Sequence, residues 1–261
     1  MIDLHTHILY GIDDGSPSIE ESLMILKKLE ILGFSKVVVT PHYIEGSSYR
    51  ANNETKIELS TELYQKIKEG KIPVSLYLGN EVYIFDEILE YLKKDEIYTI
   101  NDTRYLLVEL PFHSLLPNLD TFIENLIEKG VVPIIAHPER YVYFQKDPET
   151  VLPLLRAGAL LQSNFGSIIG KYGSKAEETF TFFLENNCIQ FLATDIHRKE
   201  SDFYERFGEI KNKIIKIIGK GKWEELTKEN PSRVLKDRDI LVEIPVIKKE
   251  KKTFLSKLLH K

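Results

Sequence analysis

Seven short apolar runs, each about the length of one strand, recur along the chain and alternate with stretches of helical spacing. No other feature constrains the fold as strongly. The runs are Ile2 to His7, Lys36 to Thr40, Val74 to Glu81, Arg104 to Glu109, Val131 to Ala136, Ala159 to Ser163 and Ile189 to Ala193. Lys36-Val37-Val38-Val39-Thr40 shows the type: β-branched and apolar on both faces, as in a buried parallel strand. Pro133 removes one backbone donor from the fifth run.

The spacing predicts helices over 18–32, 53–69, 86–94, 119–129, 148–157, 173–187, 201–219 and 223–235. In the first, Ile19, Leu23, Leu26, Leu29 and Leu32 share one face, a serine N-cap precedes it and Gly33 ends it. Such alternation implies an α/β protein with a parallel sheet. About seven units in 261 residues predict closure into a distorted TIM-like (β/α)7 barrel. The predicted barrel is a single domain over residues 1–237. Residues 238–261 are predicted to form a partly basic, mobile extension.

Composition narrows the function classes. With 43% hydrophobic and 29% charged residues, and no apolar run near the roughly 18 residues of a membrane span, the chain is not an integral membrane protein. Its start lacks a basic region followed by an apolar stretch, so a cytoplasmic location is expected. The single cysteine, Cys188, excludes a disulfide framework. A formal charge of -5 argues against bulk nucleic-acid binding. At most, the basic tail gives peripheral membrane association.

The ends of the predicted strands are chemically unusual. His5 and His7 lie two apart, a spacing that puts both imidazoles on one side of a strand. His42, Glu81, Glu109, His137, Asp195 and His197 fall at the ends of later strands, where the active sites of such barrels lie. Of the seven histidines, only His113 and His260 fall elsewhere. The sixth strand opens onto Asn164 and ends in no ionisable residue. Asp14, in the Leu9 to Gly15 loop, is a further candidate, its alternative role being that of a turn-forming residue beside Asp13 and Gly15.

Imidazole and carboxylate without thiolate suit Mn, Fe, Co or Zn. Nine such residues exceed the needs of one ion, so two or three divalent ions are expected, and a site of that kind suits hydrolysis of phosphate esters. Arg140, three residues beyond His137, offers a planar fork for phosphate. Tyr43, Phe112, Tyr141 and Phe165 occupy similar loop positions and are read as packing residues, with lining of a ring slot as the alternative. A cysteine-nucleophile phosphatase is excluded because Thr194 stands where the arginine of a C-x5-R loop would be. An amidohydrolase would need a lysine where Glu109 stands.

His5-Thr6-His7, Gly11-Ile12-Asp13-Asp14-Gly15, Pro41-His42, Gly79-Asn80-Glu81, Glu109, His137-Pro138-Glu139-Arg140 and Asp195-Ile196-His197 resemble the polymerase and histidinol phosphatase (PHP) superfamily. The opening block and His137-Pro138-Glu139-Arg140-Tyr141 resemble the CpsB/YwqE-type protein tyrosine phosphatases of bacterial capsule and exopolysaccharide systems. The resemblance spans residue 2 to about residue 235.

The resemblance implies a PHP-type (β/α)7 barrel with a di- or trinuclear centre, manganese being the first choice of metal. Its ligands would be His5, His7, Asp14, His42, Glu81, Glu109, His137, Asp195 and His197, with Glu109 as a bridge. Arg140, Asp195 and His197 would carry catalysis, Arg140 by holding phosphate. The implied substrate is the phosphotyrosine tail of a membrane-associated bacterial tyrosine kinase, cleaved by attack of a metal-bound hydroxide. A second phosphate-binding arginine, implied after the Asp-x-His block, has no clean counterpart in Arg198 or Arg206. Alternatives on the same scaffold are a histidinol-phosphate or other small-molecule phosphatase and a non-catalytic, metal-stabilised regulatory domain.

Overall fold

β1 (Ile2–Asp3) pairs in parallel with β2 (Lys36–Val39), and β2 with β4 (Ser75–Leu78). A second parallel sheet runs β3 (His42–Tyr43), β5 (Glu81–Tyr83), β6 (Tyr105–Glu109), β7 (Val132–Ala136), β8 (Leu160–Asn164) and β9 (Phe191–Ala193). These elements belong to a computed structural model, which describes residues 1–247. Of the predicted extension, residues 238–247 are described, and residues 248–261, including the Lys248-Lys249 run, lie outside the described residues.

The predicted Val74 to Glu81 strand is split in two, and the predicted Lys36 to Thr40 strand is followed by a further short strand that its sequence did not announce. Pro41 separates β2 from β3, and Gly79-Asn80 separates β4 from β5. The backbone stays in step across both breaks, with Gly79 N–H donating to Val39 O (2.9 Å) and Glu81 N–H to Pro41 O (3.1 Å). The first strand is shorter than the Ile2 to His7 run, because the chain leaves the ladder after Asp3 and returns only for a bridge between Thr6 and Ile196. There His7 N–H donates to Ile196 O and Asp195 N–H to His5 O, both at 3.0 Å, tying the end of the last strand to the end of the first.

Pro133 is accommodated within β7 for a local reason. Val132 N–H donates to Arg104 O beside β6, so the next amide position faces β8, whose pairing with β7 begins only at Ile134. The missing donor falls where no acceptor waits.

Helices α1 (Ile19–Ile31), α2 (Asn53–Glu69), α3 (Ile88–Lys93) and α4 (Leu119–Glu128) follow successive strands. After β7 come a short α5 (Val142–Lys146), absent from the sequence expectation, and α6 (Leu152–Arg156). The chain then forms α7 (Ser174–Glu185), α8 (Phe203–Glu224), with Gly219 in a left-handed break, and α9 (Asn230–Val234). Among the described residues no helix is long and apolar enough to cross a membrane.

Strand alternation sorts the core. Val37, Val39, Leu106, Val108, Ile135, Leu161 and Leu192 pack in the larger apolar cluster with the helices. Their neighbours Val38, Tyr105, Leu107, Ile134, Ala136, Leu160 and Phe191 form a second cluster on the opposite face. With a period of two, the second face continues into Glu109 on β6 and into Gln162 and Asn164 on β8. Register extends the same row through His42, Glu81 and Leu107. The apolar floor thus gives way to polar side chains at the C-terminal ends of the strands.

Candidate metal centre

Those strand ends bring all nine predicted ligands into one connected cluster. Glu81 lies at its middle: Oε2 is 3.3 Å from His5 Nε2, 3.2 Å from His7 Nε2 and 3.0 Å from His42 Nδ1, while Oε1 is 3.0 Å from His137 Nε2. Glu109 Oε1 sits 3.6 Å from His137 Nε2. Asp195 Oδ1 faces His5, His7 and His197 at 3.4, 3.5 and 3.5 Å. Asp14 Oδ1 spans His42 and His197 at 3.6 and 3.4 Å. Three sets have ligand atoms mutually within 4.8 Å: His7 with Asp14, His42 and His197; His5 with His7 and Glu81; and His42 with Glu81 and Glu109.

Hydrogen bonds behind the cluster reveal whether it suits cations. Asp195 Oδ2 accepts from Asn164 Nδ2 at 2.8 Å, Asn164 Oδ1 accepts from Gln162 Nε2 at 2.9 Å, and Gln162 Oε1 lies 2.8 Å from His5 Nδ1. A carboxylate only accepts, so it fixes the orientation of both amides and places the His5 proton on Nδ1. His7 Nδ1 likewise lies 2.8 Å from Asp13 Oδ2. Both histidines therefore turn an Nε2 lone pair into the cluster, and the two Nε2 atoms are 3.0 Å apart. Lone pairs that close repel unless a positive charge lies with them. Glu81 Oε2 and His42 Nδ1 are also buried and find no hydrogen bond of good geometry. This donor set fits divalent transition metals.

Titration of the groups shows the same need for positive charge. Burial opposes a charge on His5, but the Glu81 and Asp195 carboxylates outweigh it and push the imidazole up to about 9. Burial and the neighbouring Glu81 charge push Glu109 up to about 8, whereas burial and Arg140 hold His137 down at about 4. Glu81 and Asp195 stay well below the usual carboxylate range: burial opposes their charge, but the surrounding imidazoles overcome it.

Arg140 points into the cluster and does not pair with its sequence neighbours. Its Nη1 donates to Asp195 Oδ2 at 3.1 Å, and its guanidinium lies 4.9 Å from the Phe112 ring centre and 4.6 Å from that of Tyr172. The neighbouring Glu139 is buried elsewhere, accepting from Ser167 Oγ and Asn164 N–H. Of the four aromatics singled out, Tyr43, Tyr141 and Phe165 are buried in the core. Phe112 alone stays half-buried at the site, stacked 5.8 Å from His137. Arg206 pairs with Glu209 at 3.0 Å, and His113 is exposed. Cys188 is fully buried, its thiol pushed by burial up to about 12, as befits a packing residue.

Several residues of the site escaped the sequence reading. Asp13, given no role by its sequence, accepts from His7 Nδ1, His42 N–H and Gly15 N–H. Gly15 lies so close to His7 that a Cβ would fall 2.0 Å from the His7 carbonyl oxygen. Gln162 and Asn164 orient two ligands from a strand that seemed to contribute none. His137 (φ 34°) and Asp195 (φ 50°) adopt left-handed backbone, which costs each roughly 1 kcal/mol or more. Only the Asp13-Asp14-Gly15 spacing offered a signal for any of these.

Residues 1–236 match the sequence profile described as capsular polysaccharide synthesis, CpsB/CapC. The chain belongs to the CpsB/CapC family. Relatives include the tyrosine-protein phosphatase YwqE of Bacillus subtilis strain 168, 31% identical over 197 residues, covering 76% of this chain and 77% of that protein. The tyrosine-protein phosphatase CpsB of Streptococcus pneumoniae is 30% identical over 245 residues, covering 91% and 99%.

Crystal structures of YwqE and CpsB are described as those of metal-dependent tyrosine phosphatases. The matched chain superposes with a TM-score of 0.88 at 28% identity, over 96% of this CpsB/CapC protein and all of that chain. A histidinol phosphate phosphatase from Lactococcus lactis shares the fold with a TM-score of 0.54 at 14% identity, over 81% of this chain and 93% of its own.

Proposed function

We propose that this CpsB/CapC-family chain is a metal-dependent protein tyrosine phosphatase of a capsular or exopolysaccharide system. It would act in the cytoplasm on the phosphorylated C-terminal tail of a bacterial tyrosine kinase. The observation that carries the chemistry is the convergence of His5 and His7 Nε2 lone pairs on Glu81 and Asp195, with Arg140 beside them. Family membership supports the substrate class.

We further read residues 1–237 as one PHP domain. Its strands, joined last to first at Thr6 and Ile196, would form a distorted (β/α)7 barrel, with residues 238–261 as an extension. The nine clustered residues would hold two or three divalent ions, manganese first among them. Bound there, such ions supply Lewis-acid stabilisation of phosphoryl oxygens and make water a stronger nucleophile at neutral pH.

The chain's own groups do the rest. Asp195 divides its oxygens, Oδ1 toward the imidazoles and Oδ2 toward Asn164 and Arg140. Arg140 is thereby held by one Nη while its remaining donors are available to a phosphoryl group. Phe112 and Tyr172 restrict its guanidinium. The departing phenolate has an ordinary pKa of about 10, so the site needs no strong general acid.

The test is side-by-side turnover of a phosphotyrosine peptide and histidinol phosphate by the full chain with added Mn, alongside elemental analysis. Faster peptide hydrolysis, lost on strong chelation, with at least two ions per chain is expected. Preference for histidinol phosphate, or activity with fewer ions, would overturn the proposal.

A further inference from the structure

Next to the metal centre, a cavity of about 550 Å³ opens between the loops that follow β8 and β9. Its lining runs from the buried Asp195 through the partly buried His197, Arg140 and Tyr172 to the exposed Lys171 and Arg198, which make its rim. It is much larger than a phosphoryl group requires and comparable to sites for drug-sized ligands. A phosphate seated at the inner end would leave most of it for other parts of the substrate.

The rim cations are not committed to acids of this chain. Among the described residues neither Lys171 Nζ nor the Arg198 guanidinium has an ion-pair or hydrogen-bond partner. The two acids of the same rim have other cations: Glu200 lies 3.6 Å from Lys199 Nζ, and Asp202 lies 3.7 Å from Arg206 Nη1. Lys171 is also held in place. Its backbone N–H donates to Gly166 O, its ammonium lies 5.1 Å from the Tyr172 ring centre, and its stem runs so close to Gly166 that a Cβ there would meet Lys171 Cδ at 2.9 Å. Glycine at position 166 is what lets the stem lie along the wall of the cavity.

We propose that Lys171 and Arg198 form a subsite for an anionic group carried by the substrate beside the phosphotyrosine, and so confer a preference for acidic peptides. The inference rests on the phosphatase function proposed above. The recognised chemistry is a carboxylate or a second phosphate on a flanking residue, either of which pairs with ammonium and guanidinium. Neither cation takes part in the chemical step; their effect is on which peptides are captured.

The experiment compares kcat/KM of the metal-loaded full chain on phosphotyrosine peptides with neutral, Asp/Glu or phosphotyrosine flanks. It also compares Kd for the same peptides bearing a non-hydrolysable phosphonomethyl group. A half-exposed ion pair supports about a fivefold preference for the anionic flanks at low salt. In the double variant Lys171→Met/Arg198→Met both ratios should fall to about one, Lys171→Arg should retain them, and Lys171→Glu should favour lysine-flanked peptides. A carboxylate site separates from a second-phosphate site by which flank shows the ratio. Equal values for neutral and anionic flanks in the parent, or a ratio that survives in the double variant, overturns this inference alone. A parent inactive on every phosphotyrosine peptide overturns the proposed function with it.

Discussion

Replacing Gln162 with methionine tests the claim that the imidazoles are oriented from behind. The amide occupies the centre of a buried relay from His5 Nδ1 through Gln162 and Asn164 to Asp195 Oδ2, with steps of 2.8, 2.9 and 2.8 Å. Methionine keeps the length and removes both functions. His5 Nδ1–H and Asn164 Oδ1 then lose their partners, at a cost of about 1–3 kcal/mol for each buried group left unpaired. His5 can escape part of that cost by moving its proton to Nε2, but that places a hydrogen where a ligand lone pair is required. Losing such a supporting bond weakens metal affinity about 10- to 100-fold. Titration of the metal-free protein with Mn against a competing chelator reads this directly, and melting at saturating metal separates it from general unfolding. Affinity within about twofold of the parent would refute the relay as the device that orients His5.

Arg140→Ala should lower kcat/KM on phosphotyrosine peptides about 10- to 100-fold, the loss of a charge-assisted contact, with metal content by elemental analysis unchanged. Gly15→Ala should reduce metal occupancy, because the 2.0 Å approach to the His7 carbonyl forces the loop that carries Asp13 and Asp14 away from the histidines; full occupancy would show that the loop adapts. Lys56 is fully buried, bonded to Asn80 Oδ1 at 2.7 Å, and burial lowers its pKa to about 7. Between that value and the unfolded value of about 10.4 the unfolded chain carries the proton and the native chain does not, so stability rises with pH across this window and levels off outside it. Relative to Lys56→Met, urea unfolding of the parent should therefore gain about 1.4 kcal/mol per pH unit between pH 7.5 and 10, whereas parallel slopes would show that the ammonium stays charged in the fold.

What the sequence revealed of this protein, and what it concealed, follows from the range of the interactions involved. Helix α2 has the bounds its spacing predicted because its signals are local, including the Asn52 side chain accepting from Thr55 N–H. The clustering of the candidate ligands was legible because parallel α/β architecture sends every strand's C-terminal end to one face, so residue type and strand position suffice without distances. Gln162 was not legible. A glutamine two residues into a strand carries no chemical mark, and its importance arises from His5, 157 residues away. Asp13 and Asp14 are adjacent acids in one turn, and only the packing of Gly15 on His7 decides that Asp13 goes beneath the histidines while Asp14 stays at the rim.

The division between those two aspartates bears on how the site works. The Asp13 side chain, buried, lies against the far nitrogen of His7 and fixes which atom faces inward. Asp14 is half-exposed and reaches His42 and His197 from the solvent side. Going outward, a buried layer that orients the ligands is followed by a layer of imidazoles and carboxylates that requires cations, and then by Arg140 and the rim cations. Each layer makes sense of the next. Orienting bonds are strong only where water is excluded, and the ligand layer is buried enough that Glu109 resists ionisation without cations. Of that outer layer, Arg140 is partly compensated by Asp195, whereas Lys171 and Arg198 pair with no acid among the described residues and leave positive charge open to an anion. Because Arg140 is bonded to Asp195, the same carboxylate that faces His5 also aims the guanidinium fork proposed to bind phosphate. A change at the ligand layer should therefore shift substrate affinity as well as metal content, and Asp195→Asn, which removes the negative charge and turns one acceptor oxygen into a donor amide while keeping the shape, should lower both in one step.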